Sequence, residues 1–142
     1  MKRLAGMALL FALTAAAAYS NVGDDINALR QAYGATGKKA MNAMIFQKNG
    51  YSICVYFDGG RSAMEIFTRD GSVKNKTDIT EEDVKSILAQ ESNGQTWNPV
   101  TSKSGHQTWL RSDNRLIARL SEADDAESGA PAKALVIMSN EK

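Results

Sequence analysis

Tyr51-Ser52-Ile53-Cys54-Val55-Tyr56-Phe57-Asp58 lies between two turn signatures, Lys48-Asn49-Gly50 on one side and Asp58-Gly59-Gly60 on the other. Asn and Gly readily take the positive φ that tight hairpin turns require, so the stretch is the middle strand of an antiparallel meander. Side chains alternate along a strand, which puts Tyr51, Ile53, Val55 and Phe57 on one face and Ser52, Cys54, Tyr56 and Asp58 on the other. The first set is the candidate core. The period of two extends from Met41 to Asp70 and predicts three strands there.

Before the meander, Gly23-Asp24-Asp25 precedes Ile26, Leu29 and Tyr33, whose spacing of three and four makes one helical stripe ending at Gly34, a C-terminal cap. After it, Thr80-Glu81-Glu82-Asp83 reads as a capping-box start, with carboxylates at the positive end of the helix dipole. That second helix runs to about Glu91, buries Val84, Ile87 and Leu88, and stops at Asn93-Gly94. Further strands are expected at about His106–Arg111, Arg115–Ser121 and Ala134–Ser139, with Ser112-Asp113-Asn114 turning the first hairpin. Trp97 is a candidate start for another short strand before Pro99. Leu116, Ala118 and Leu120 form a dry face with Leu135 and Ile137, while Ile117, Arg119 and Ser121 form a wet one. Trp97 and Trp109 are expected as core under the second helix. The polar stretch Glu122 to Lys133 reads as a long mobile loop.

The fold class is therefore α+β: an antiparallel sheet of about six strands with two short helices on one face. The order of elements suggests two α-β-β-β units in tandem, although a helix followed by a meander also recurs by chance.

Residues 1–20 read as a signal peptide. Lys2 and Arg3 precede an uncharged run from Leu4 to Ala18, too short and too rich in alanine for a stable membrane span. Ala18-Tyr19-Ser20 supplies small residues before a cut ahead of Asn21, and Ala16-Ala17-Ala18 offers an alternative cut after Ala18. Residues 21–142 then form a single domain, periplasmic or extracellular, with no stable span after cleavage. No cysteine follows the apolar run to carry a lipid. Asn75-Lys76-Thr77 matches a glycosylation sequon, but the leader is of bacterial type and the match reads as coincidence.

The chain carries 17 basic and 16 acidic residues, so loss of Lys2 and Arg3 leaves 15 against 16. Such a balance lacks the clustered basic surface that nucleic acid requires. Arg111, Arg115 and Arg119 form a local basic group, offset by Glu122, Asp124 and Asp125, and read as a solvated strand face. Cys54 is the lone cysteine, so an internal disulfide is excluded and a buried thiol is the default. His106 is the lone histidine, which leaves a metal site to carboxylates; neither metal nor cofactor is expected. No nucleophile turn, P-loop or dinucleotide fingerprint occurs, and no residue is assigned a catalytic role.

Tyr33-Gly34, Asp58-Gly59-Gly60, Thr80-Glu81-Glu82-Asp83, Trp97 and Trp109, in this arrangement, resemble small exported bacterial proteins of uncharacterised function. The tandem order is also similar to that of β-lactamase-inhibitor proteins and small outer-membrane assembly lipoproteins, without their paired or lipid-bearing cysteines. The resemblance implies only that such sheets bind other proteins. The functional expectation is an exported, non-enzymatic binding or accessory domain that contacts another protein, or a second copy, through its sheet face or edge. Tyr56 and Phe67 are the candidate partner-binding residues, grouped with Cys54 on the helix-free face. The alternative is a small hydrolase or ligand-binding protein with a cleft around His106, and a purely structural envelope role is a third.

Overall fold

The computed structural model describes residues 21–34, 37–69, 79–101, 106–124 and 131–141. The leader lies outside them.

Helix α1 (Ile26–Tyr33) starts where Asp25 accepts from the Ala28 N–H and ends at Gly34, whose φ of 111° is open to glycine. A meander follows: β1 (Lys38–Ala40), β2 (Ala43–Lys48), β3 (Tyr51–Asp58) and β4 (Arg61–Arg69). Helix α2 (Glu81–Gln90) opens with the expected capping box between Thr80 and Asp83. A second meander comprises β5 (Trp97–Val100), β6 (Thr108–Arg111), β7 (Leu116–Asp124) and β8 (Pro131–Ser139). All eight strands join one antiparallel sheet in the order β1-β2-β3-β4-β8-β7-β6-β5. Each half is thus a helix and a four-stranded meander, and the last strands of the two halves meet in the middle.

The class and the two helices agree with the sequence reading; the strand number does not. Three-residue β1 is too short to show a period, and its tight connection to β2 depends on a positive φ at Met41, a residue with no turn signature. Strand β5 does begin at Trp97, with Pro99 paired opposite Trp109. The expected long loop is corrected too. Pairing continues through Glu122↔Lys133, Ala123↔Ala132 and Asp124↔Pro131, so both ends of that stretch are strand, while 125–130 lie outside the described residues.

Both helices pack on the same face. Leu29 and Tyr33 of α1 and Val84, Ile87 and Leu88 of α2 join Ile53, Val55, Phe67, Leu135 and Ile137 in one core. Trp97 and Trp109 pack against it, and the Trp97 indole N–H donates to the Leu88 carbonyl at 2.8 Å. No helix among the described residues is long and apolar enough to cross a membrane.

A β-bulge in β4 sets which side chains face this core. Tyr56 pairs with Met64 and Phe57 with Ser62, so Ala63 has no partner and the alternation of β4 flips at that point. Ser62 and Glu65 consequently share the buried face, at 3% and 0% exposure.

Candidate interaction face

Cross-strand pairing builds two adjacent rows on the face away from the helices. One row runs Ala43, Tyr56, Met64, Met138, Ile117 and Leu110, across β2, β3, β4, β8, β7 and β6. The next runs Ile45, Cys54, Ile66, Val136, Arg119 and Thr108 across the same strands and reaches Val100 on β5. Strand spacing makes each six-strand row roughly 24 Å long, with about 7 Å between rows. None of the described helices or strands covers this strip. Ala43 and Thr108 are buried, the other side chains are half-buried, and Tyr56 (38%) and Val100 (37%) stand out furthest.

Of the two expected contact residues, Tyr56 lies on this face and Phe67 does not. Phe67 pairs with Ile53 and is 2% exposed, a core residue, because the bulge places Met64 and Ile66 outward instead. Cys54 does flank Tyr56, half-buried and reduced. It pushes the Tyr56 phenol upward, first by the charge a thiolate would carry and then by their hydrogen bond. The sequence reading missed Met64, Ile66, Ile117, Val136 and Met138. The signal available was Ile117 on the supposedly wet side of β7.

Arg119 is the charged side chain within the two rows between β2 and β5, and Lys38 on β1 continues the second row beyond Ile45. The Arg119 Nε is buried and has no hydrogen-bond partner, which leaves a charge-assisted donor unmet within an apolar surface. The three clustered arginines do not act together. Arg111 is 4% exposed on the helix side, donating to Asp113 Oδ2 at 2.7 Å and to the Glu91 carbonyl at 3.0 Å. That burial corrects its reading as part of a solvated face. Asp113 is held below its usual range by the Arg111 hydrogen bond.

A groove of about 590 Å³ lies between α2 and the second meander, lined by Val84, Leu88, Trp109 and Leu120 and, at its β5–β6 end, by Val100 and Thr108 of the second row. His106 does not line it, although Gln107 and Thr108 do. The imidazole is exposed, and the His106 carbonyl accepts from the Thr108 hydroxyl. The structure therefore does not place His106 in this cavity. Among the described residues no cluster of His, Cys, Asp and Glu is arranged to hold a metal.

Comparison with protein-family models, with curated proteins and with solved structures gives no match for this chain.

Proposed function

We propose that this chain is an exported, non-enzymatic accessory domain that binds another protein through the helix-free face of its sheet. The double row around Tyr56, Met64, Met138 and Ile66, which none of the described helices or strands covers, carries this reading. Contiguous apolar surface on one side of a soluble sheet is stabilised by a partner that removes it from water. The unmet Arg119 Nε gives the partner its chemistry: an apolar surface bearing one carboxylate. A second copy would bring another arginine and no acid to the same strip. The face is favoured over the edges, because β1 is three residues long with two lysines and β5 contains Pro99, features that discourage strand addition.

The test places a photo-crosslinking residue at Tyr56, and separately at Ser86 on the outer side of α2, in the chain expressed in its own source. The expected result is a discrete adduct of one partner from position 56 only, with its yield lowered at least tenfold by Arg119→Glu. Adducts from both positions, none from either, or a homodimer at position 56 would overturn the acidic-partner reading.

A further inference from the structure

We propose that the exported chain is cut between Ser20 and Asn21, and that the α-ammonium so formed is a built-in counter-ion for the buried carboxylates of Glu91 and Glu65. The inference rests on the export part of the reading above and is independent of the binding face. Glu91, which caps α2, is 1% exposed, and Glu65 on β4 is 0% exposed. The Asn21 backbone nitrogen donates to Glu91 Oε2 at 3.0 Å, and its side-chain amide donates to Glu91 Oε1 at 3.3 Å. The same amide donates to the Tyr33 hydroxyl at 2.7 Å, which in turn donates to Glu65 Oε2 at 3.0 Å. Glu65 Oε1 is buried with no hydrogen-bond partner.

The main chain fixes the nitrogen in this position. Ser62 Oγ donates to the Asn21 carbonyl, and Gly23 N–H donates to the Ser62 carbonyl at 2.8 Å. The bulge that turns Ser62 inward is what makes this anchoring possible.

As an amide, Asn21 offers one hydrogen and no charge. Hydrolysis by a leader peptidase adds water across the Ser20–Asn21 bond: the C–N bond breaks, Ser20 leaves as a carboxylate, and the Asn21 amine takes up a proton. The product has three N–H donors and a full positive charge against a carboxylate it already touches. A buried carboxylate pair is costly without a cation, and pairing removes much of that cost. Burial, with the Glu91 charge behind it, pushes the Glu65 carboxyl well up. Other charged groups among the described residues here are Asp24, three residues along the chain, Arg61, which donates to the Gly23 carbonyl, and Arg111, which donates to the Glu91 carbonyl. A cut after Ala18 would leave Asn21 an amide and forfeit the pairing.

The experiment exports the full chain from a bacterial host and determines the N-terminus by intact mass. The pKa of the α-amine is then obtained from the pH dependence of its acylation. Expected are a chain starting at Asn21 and an α-amine at least one unit above its ordinary value of about 7.7–8.0. Glu91→Gln should return it toward that value; should this variant not fold, the wild-type pKa decides alone. A start at Tyr19, or an ordinary pKa at Asn21, overturns the inference while leaving export intact. A chain retaining Met1 overturns both.

Discussion

Gly37 has no Cβ because the Phe46 ring occupies that space: a methyl there would overlap the ring edge. Phe46 is 1% exposed and its ring sits 5.5 Å from that of Tyr33, so it has little room to yield. Gly37→Ala is expected to lower stability by about 1–3 kcal/mol, the usual result of overpacking, measured by urea unfolding. Tyr33 supports the core differently. Its hydroxyl donates to the charged form of Glu65, so Tyr33→Phe removes a bond and leaves a buried acceptor, a loss of about 1–3 kcal/mol. The sign of its pH dependence follows from Glu65, whose folded carboxyl is raised. Stability linked to such a group is complete below about pH 4.5 and falls as pH rises through the folded value. Loss of a donor that favours the ionised form deepens that fall, so unfolding curves should show a larger cost for Tyr33→Phe at pH 8 than at pH 5.

Helix α2 is tied to the first meander by one carboxylate. Asp83 accepts from Tyr51 OH at 2.6 Å, from the Thr80 N–H at 2.8 Å, and from both the Nε and Nη2 of Arg69 at 3.1 and 2.7 Å. Burial alone would raise its pKa, but the hydrogen bonds from Tyr51, Thr80 and Arg69 outweigh it and hold the carboxyl at about 2. Its contribution is therefore present above about pH 3.8 and lost as pH falls toward 2. Asp83→Ala combines a lost cap with an Arg69 left unpaired, so a loss of about 2–4 kcal/mol at pH 7 is expected in denaturant titrations. Asp83→Asn should also flatten the acid limb of the stability profile. The capping half of this device was legible, since Thr80 and Asp83 are three residues apart in sequence. The half that docks the helix was not: Arg69 and Tyr51 are fourteen and thirty-two residues away from Asp83, and only the sheet register brings them together. Phe67 failed for a related reason. Strict alternation carries a face assignment along a strand, and an extra residue at Ala63 reverses it without a glycine or proline to announce the bulge. The interaction face was legible where alternation held, at Cys54 and Tyr56, and illegible where it depended on which strand lay next to β4.

At the scale of the molecule, the two halves are joined by the β4–β8 pairing, in which Glu65 faces Ile137 and Phe67 faces Leu135. Ile137 and Leu135 are fully buried under both helix stripes, so neither half can complete its core without the other. That arrangement makes a specific demand on unfolding. Both tryptophans, Trp97 and Trp109, lie in the second half, so their fluorescence reports that half alone, whereas far-UV circular dichroism reports all eight strands. Two autonomous halves would give separated transitions, and one shared core requires coincident ones. Ile137→Ala opens a cavity at the seam and should cost about 2–5 kcal/mol. Both probes should shift to lower denaturant by the same amount, although the substituted residue belongs to β8 and much of the dichroism arises from β1–β4. A fluorescence transition that moves while the dichroism leaves an unmoved component would mean that the first half folds alone, and the seam would then be a contact between two domains rather than the centre of one.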